Sequence, residues 1–166
     1  MVTYQEALDN ETLNASEIIN REDVSLLICD LYDTICMKCE NGTLINELNG
    51  IERVFYLVKT FDVEMNNGSI YQFYKNEFGN YANETVEALM EVGADILALI
   101  LDKGNSIFRN GIVPENLEER LRQIDEVDES DKMWLFDNLD YEFKEYSGGL
   151  DALCLTYVRD HKEAFM

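Results

Sequence analysis

Apolar residues recur at steps of three and four along most of the chain, which is the spacing of one face of an α-helix. The first such stripe consists of Val24, Leu27, Ile28, Leu31, Ile35 and Cys39. A second stripe consists of Ile51, Val54, Phe55, Val58 and Phe61. Asn49 stands directly before the second stripe, where a side-chain oxygen can cap a helix. Both stripes therefore predict amphipathic helices that face a common core.

Polar and glycine-containing breaks divide the pattern into separate helices. Residues 66–68 (Asn-Asn-Gly) end the second helix, and Ser69 is placed to cap a short one that carries Ile70, Phe73 and Tyr74. Three further helix starts are predicted. Asn83 can cap a helix whose inward residues are Val86, Leu89 and Met90, Pro114 can be the first residue of the next helix, and Ser130 can cap another. The apolar pattern resumes through Ile96, Ile100 and Ile107. After Ser130 it continues through Met133, Trp134, Phe136, Leu139 and Phe143. A final predicted helix carries apolar residues from Leu150 to Val158. We predict about eight helices and no strand, hence one compact all-α domain over residues 1–166.

The charge of the chain is far from that of an ordinary domain. Thirty-four acidic residues oppose thirteen Lys and Arg, which gives a net charge of −21, whereas a small soluble domain usually carries a charge of about 2–8 in magnitude. Such an excess repels itself in the folded state. It also excludes direct binding to nucleic acid or to an anionic membrane, because both are polyanions. A basic protein is the partner that this charge favours.

The sequence carries no signal for a membrane or a secretory route. Its first ten residues, MVTYQEALDN, lack the basic start and the apolar run of a signal peptide. The longest apolar run, Ile96–Leu101, is far shorter than the roughly 18 residues that span a bilayer. We therefore expect a cytoplasmic protein with reduced cysteines.

Candidate catalytic and metal-binding motifs are weak. Cys36 and Cys39 form a CxxC pair within a helical stripe, and zinc would need further ligands that the chain hardly offers. His161 stands at the end of the last helix with no nucleophile motif beside it. Asp125, Asp128 and Asp131 have a spacing of three and no central glycine, unlike a calcium loop. We expect no metal, no cofactor and no catalytic residue.

Acidic residues are the candidate functional residues, and they fall into two groups. The first group, Glu84, Glu87, Glu91 and Asp95, steps by three or four, as on one helical face. Residues 115–145 contain twelve acids against Arg120, Arg122, Lys132 and Lys144. The candidate partner-binding acids of this second group are Glu115, Glu118, Glu119, Asp125, Glu126, Asp128, Glu129, Asp131, Asp137 and Asp140. Carboxylates in rows on rigid helices resemble a line of DNA phosphates, although a solvated helix face explains such rows equally well.

A motif between residues 67 and 94 carries a family resemblance. It reads Asn67-Gly68, then Gln72-Phe73-Tyr74 and Asn76, and continues with the acidic stretch from Glu84 to Gly93. This pattern resembles the bacterial DNA-mimic protein 19 family, also catalogued as a domain of unknown function. In the usual pattern, glycine stands where this chain has Ser69 and an aromatic residue where it has Ile70. The similarity extends from about residue 48 to the C-terminus, so residues 1–47 are covered less well.

The resemblance implies an all-α fold, a homodimer and a strongly acidic surface. The family is named for a member that occupies the DNA-binding face of a DNA-binding protein. It therefore implies that this chain binds a basic DNA-binding protein, such as a transcription regulator, and blocks its DNA site. The motif residues Asn67, Gly68, Gln72, Tyr74, Asn76 and Gly93 are then expected to be structural.

Two other functions stay open from the sequence. A helical immunity or adaptor protein that neutralises one toxin or nuclease would use the same electrostatics. An enzyme would need a pocket with convergent polar groups. The cluster Asn67, Gln72, Tyr74 and Asn76 is the place where such a pocket would be sought.

Overall fold

The computed structural model describes residues 18–166, and all regular structure in that range is helical. Eight α-helices, joined by short 3₁₀ turns and loops, make up these described residues, which contain no strand. In chain order they are α1 (Val24–Lys38), α2 (Gly50–Asn67), α3 (Ile70–Lys75), α4 (Ala82–Glu91), α5 (Asp95–Asn105), α6 (Leu117–Glu126), α7 (Glu129–Tyr146) and α8 (Leu150–Asp160). The prediction of an all-α fold is confirmed.

Two predicted helix caps are present. The Asn49 side chain accepts hydrogen bonds from the backbone N–H groups of Ile51 and Glu52, each at 3.0 Å. The Glu52 carboxylate accepts from the Asn49 N–H at 3.1 Å, which completes a capping box at the start of α2. Ser69 caps α3 by accepting from the Gln72 N–H at 3.2 Å. These caps form because donor and acceptor lie within three residues of each other.

Other helices begin at different residues than predicted. Helix α4 begins at Ala82, and the Asn83 side chain instead bonds both backbone groups of Val113, at 2.9 and 3.1 Å. Asn83 therefore ties α4 to a distant loop. Helix α6 begins at Leu117 and not at Pro114, because Asn116 caps it by accepting from the Glu119 N–H at 2.9 Å.

The start of α7 also differs from the prediction. Asp128 caps this helix and accepts from both the backbone N–H and the hydroxyl of Ser130, at 3.0 and 2.6 Å. Ser130 is thus a donor inside the first turn and is not the capping residue. An ionised carboxylate also suits this position, since the helix N-terminus carries a partial positive charge.

Several residues of the apolar stripes lie outside the core. Met90 was predicted to face inward but is exposed, because the buried face of α4 runs through Ala82, Thr85, Ala88 and Leu89. Ile96 on α5 is exposed as well. On α7, Phe136, Leu139 and Phe143 are buried as the stripe indicates, whereas Met133 and Trp134 are exposed. The prediction that these positions are buried, which rested on their apolar character alone, was wrong.

Helix α2 lies at the centre of the packing. Its residues from Phe55 to Phe61 are all buried, and it contacts α1, α3, α4 and α7. The Phe61 ring packs edge-on against Phe73 and Phe143, with ring centroids 5.1 and 5.7 Å apart. Helix α5 is held between α4 and α7. The buried apolar side chains form one contiguous cluster, which fixes the helices that carry the acidic residues.

Candidate protein-binding surface

The candidate acidic residues lie on α4, α6 and α7, at the start of α5 and in the turns that flank these helices. Glu84, Glu119 and Asp140 are half-buried. The other eleven are exposed: Glu87, Glu91, Asp95, Glu115, Glu118, Asp125, Glu126, Asp128, Glu129, Asp131 and Asp137. We call these fourteen residues the acidic surface. Most of it is therefore accessible to a partner protein.

Some members of the acidic surface already bind cations of the same chain. Arg122 donates to Glu119 at 2.6 Å and also binds Glu126. The two acids lie about one helical turn before and one turn after Arg122. Arg109 donates to Glu126 at 2.9 Å. Lys132 binds Glu129 at 2.7 Å. These exposed pairs are worth little stability each, and a stronger external cation can compete for the carboxylates.

Hydrogen bonding keeps two of these carboxylates charged at low pH. Bonds from Arg122 and Gln123 lower the pKa of Glu119. The hydroxyl and backbone N–H of Ser130 lower the pKa of Asp128. In both cases the donors stabilise the ionised form of the side chain. Glu119 and Asp128 therefore stay ionised to a lower pH than an ordinary carboxylate does.

Helix α4 carries its acids in different environments. Glu84 forms a two-point pair with Arg53 of α2, with N–O distances of 2.5 and 2.8 Å. Glu91 accepts from the Tyr157 hydroxyl at 2.7 Å, while Glu87 is exposed and binds no other side chain in the described part of the protein. Gly93 has a φ of +82° and ends the helix, so Asp95 belongs to α5. The four acids thus do not share one continuous helical face.

Seven acids of the acidic surface form neither an ion pair nor a side-chain hydrogen bond with the rest of residues 18–166. They are Glu87, Asp95, Glu115, Glu118, Asp125, Asp131 and Asp137. All seven are exposed, and six lie in or directly beside α5, α6 or α7. Their carboxylates are consequently available to bind basic groups from outside.

The family-motif residues do not converge on one pocket. The Tyr74 hydroxyl is buried and donates to Asn105 at 2.7 Å. Gln72 lies on the surface and donates to Asn76 at 3.0 Å, while Asn76 donates to Glu64 of α2. Asn67 and Gly68 occupy the exposed end of α2. The cluster that an enzyme would require is therefore spread between core and surface.

Arg120 is the important residue that sequence reasoning misplaced. It was counted among the four cations that oppose the acids of residues 115–145, but it is 0% exposed. Its guanidinium donates only to neutral acceptors, at 2.7 to 3.0 Å. They are the backbone carbonyls of Tyr74, Asn76, Pro114 and Glu115 and the side-chain oxygen of Asn80. Burial lowers the pKa of Arg120. Its position four residues before buried Ile124 was the signal that could have placed it inside.

The bonds of Arg120 join the family motif to the acidic surface. Tyr74 and Asn76 belong to the motif, and Glu115 is one of the seven unpaired acids. Gly79 allows this approach, because a Cβ atom there would lie 2.9 Å from Nε of Arg120. We call Arg120 and its five acceptors the Arg120 network. It fixes the start of α6 against α3.

The His, Cys and acidic side chains of residues 18–166 are not arranged for metal binding or for thiol catalysis. No group of three or more His, Cys, Asp or Glu side chains in residues 18–166 is arranged to hold a metal ion. Cys39 is buried, and burial raises the pKa of the half-buried Cys36 to about 11. A thiol with such a pKa is a poor nucleophile at neutral pH. The ring of His161 packs on Tyr157, with centroids 4.5 Å apart.

A second feature of the surface is apolar. Ile96 and Leu99 on α5 and Tyr146 at the end of α7 are exposed and line a groove of about 550 Å³ between the two helices. Lys103 and Glu142 cross the groove as an ion pair at 2.9 Å. We call Ile96, Leu99 and Tyr146 the apolar patch. Within residues 18–166, none of the helices is both long and apolar enough to cross a membrane.

Comparison with known proteins places this arrangement in a family. A family profile described as DMP19-like protein matches residues 46–161, which contain the motif, the Arg120 network and the whole acidic surface. No curated protein and no solved structure matches the chain. The matched range covers well over half of the sequence, and the chain belongs to the DMP19-like protein family.

Proposed function

We propose that this protein is an acidic DNA mimic that acts in the cytoplasm. It binds a basic DNA-binding protein, such as a transcription regulator, and blocks the site that DNA would occupy. The observation that carries the proposal is the set of seven exposed, unpaired carboxylates on a rigid helical frame. The net charge of −21 and the membership in the DMP19-like family agree with it.

Electrostatics supplies the mechanism. Carboxylates one helical turn apart lie roughly 5–6 Å from each other at Cβ, whereas one DNA strand presents a phosphate about every 3.4 Å along the axis. The acids of α6 and α7 therefore present to Lys and Arg a sparser line of charge than DNA does. The helices hold these acids in place before binding, so little ordering is needed on association. Association should be fast and should weaken as salt is added.

The test begins with the partner itself. The protein is immobilised, incubated with lysate of its native host and washed at low and at raised salt. A recovered partner is then mixed with its own DNA in a mobility-shift assay. We expect the protein to displace the DNA in proportion to its concentration. Recovery of basic partners that is unaffected by salt, or displacement of no DNA, would contradict the proposal.

Two variants with the same net charge sharpen this test. Glu118→Gln, Asp125→Asn and Asp131→Asn together remove three unpaired acids of α6 and α7. Glu22→Gln, Glu47→Gln and Asp160→Asn together remove three exposed acids elsewhere. We expect the first triple variant to lose DNA displacement and the second to retain most of it. Equal losses would show that total charge acts and that the acidic surface does not.

The immunity or adaptor function is the alternative, because acidic inhibitors of basic nucleases use the same charge complementarity. A recovered partner with nuclease or toxin activity, which the protein inhibits, would favour it. Neither function includes a catalytic step by this chain. We place no reaction at Asn67, Gln72, Tyr74 or Asn76.

We further propose that two copies associate through the apolar patch. Exposed, contiguous apolar side chains mark interaction sites on soluble proteins. Within the groove the Lys103–Glu142 pair is neutral, so Glu145 is the lining carboxylate whose charge a second copy would meet. Sedimentation of Leu99→Glu should show a monomer where the unaltered chain forms a dimer. Added salt should strengthen the dimer while it weakens binding of a basic partner.

A further inference from the structure

The exposed face of α7, which borders the groove beside α5, combines exposed aromatic rings with unpaired carboxylates. Trp134 and Tyr141 are each 70% exposed. They are seven residues apart, which places them on the same face about 10 Å from each other along the helix axis. Aromatic side chains exposed to this degree contribute little to the core, and their rings are open to contact by a partner.

Unpaired carboxylates surround the two aromatic rings. Asp131 and Asp137 lie three residues before and after Trp134, and Glu145 lies four residues after Tyr141. All three are exposed and form no ion pair with residues 18–166. Of the two lysines of α7, Lys132 is buried against Glu129 and Lys144 is exposed. The face thus carries a clear excess of negative charge beside aromatic surface.

This combination fits a guanidinium better than an ammonium. The guanidinium of arginine is flat and weakly hydrated, so it stacks on an aromatic ring while its edge donates to carboxylates. The ammonium of lysine is a strongly hydrated point charge and gains less from the ring. A row of carboxylates without aromatic rings would bind both cations by charge alone. Trp134 and Tyr141 therefore add a means of selection.

Other occupants fit the face less well. A second copy seated on Trp134 would bring Asp131 and Asp137 of both chains together, and like charges at short distance repel. The apolar patch lies at the other end of this face, where Tyr141 and Glu145 also line the groove. An uncharged apolar partner would remove these carboxylates from water without a compensating cation, which is costly. A basic segment satisfies both the rings and the carboxylates.

We propose that this face of α7 binds arginine side chains of the partner protein in preference to lysine. Trp134 and Tyr141 stack on the guanidinium groups, and Asp131, Asp137 and Glu145 accept their hydrogen bonds. The inference rests on the proposed function, since it concerns the partner of the same acidic surface. Trp, Tyr and Arg are also the residues that most often dominate the energy of protein interfaces.

The test compares two peptides of equal charge. One contains six arginines and the other six lysines, each spaced by glycine and capped at both ends. Their affinities are measured by calorimetry for the unaltered chain, for the Trp134→Leu/Tyr141→Leu double variant and for Leu26→Ala, which alters an exposed residue of α1. Trp134 is the only tryptophan of the sequence, so its fluorescence reports contact with the peptide directly.

An exposed cation–π contact is worth about a two- to fivefold change in affinity. We expect the unaltered chain to prefer the arginine peptide, and the double variant to lower that preference by about two- to fivefold for each ring that is removed. Leu26→Ala should leave the preference unchanged, and Asp137→Asn should weaken both peptides alike. The fluorescence of Trp134 should change more with the arginine peptide than with the lysine peptide.

Four results would overturn the proposal. If the double variant keeps the full preference for arginine, the aromatic rings do not select. If the unaltered chain binds both peptides equally and in a salt-dependent way, the selection of arginine is refuted while the proposed function stands. If the unaltered chain binds neither peptide, both the selection of arginine and the proposed function are refuted. If sedimentation shows that Trp134→Leu alone abolishes self-association, a second copy occupies this face, because Trp134 does not line the groove of the apolar patch.

Discussion

Replacement of Arg120 by methionine is the sharpest test of the structure. The guanidinium is fully buried and makes five hydrogen bonds to neutral acceptors. Methionine fills a similar space but removes the Arg120 donors from those oxygens, of which the Asn76 carbonyl still accepts from the Gly79 N–H at 3.1 Å. No carboxylate loses a partner, so the loss falls on the Arg120 network alone. We expect the change to weaken the packing of α6 against α3.

The magnitude follows from two opposing effects. Each hydrogen bond that involves a charged group contributes about 1.5–3 kcal/mol, which would give a large gross loss for five bonds. The variant no longer buries a charge, however, and that burial costs several kcal/mol in the unaltered chain. We therefore expect the free energy of unfolding to fall by about 3–5 kcal/mol. Domains of this kind unfold with roughly 5–15 kcal/mol in total.

Arg122→Met is the matched control. Arg122 lies two residues away on the same helix, is exposed, and pairs with Glu119 and Glu126. Its loss changes the net charge by the same amount but should cost about 1 kcal/mol or less. Urea denaturation followed by circular dichroism measures both variants. Free energies of unfolding that differ by less than about 1 kcal/mol would refute the structural role of Arg120.

Three further predictions concern other contacts. Gly104→Ala would place a Cβ atom 2.6 Å from two side-chain atoms of α3. It should therefore lower stability in thermal melts by about 1–3 kcal/mol, whereas Gly148→Ala, with open space around it, should change little. Burial raises the pKa of Asp140, so its folded form favours the proton and this residue adds stability as pH falls through the raised pKa. Asp140→Asn should remove that increase, and unaltered pH dependence of the unfolding free energy would contradict this. Alkylation of the native protein at pH 8 should label exposed Cys29 before Cys36, whose pKa is about 11; equal rates by mass spectrometry would contradict the assigned burial.

The sequence was most informative where the structure depends on neighbouring residues. The caps at Asn49 and Ser69 need only an oxygen and a backbone N–H within three positions, and both were predicted. The stripe on α1 also matches the observed buried face, since a helix that packs on one side must repeat its apolar residues. Helix α2, in contrast, is buried on all sides from Phe55 to Phe61, which its stripe did not predict. The motif indicated the family before any geometry was known.

Long-range contacts explain what the sequence could not predict. Asn83 looked like a cap, but its amide is engaged by Val113, thirty residues away. Asp140 looked like a surface acid, yet it accepts from the Ile70 N–H at 2.8 Å and so holds the start of α3. The role of each residue depends on which helix lies beside it. Charge counts likewise cannot distinguish a buried arginine from an exposed one.

The acceptors of Arg120 have a consequence for how the protein can diverge. Four of its five acceptors are backbone carbonyls, which every amino acid provides. The side chain of Glu115 is therefore free to change while its carbonyl continues to hold Arg120. Mutations at such a position alter what the surface offers to a partner without loosening the fold. Descendants of one ancestral chain can in this way acquire different targets on an unchanged helical frame.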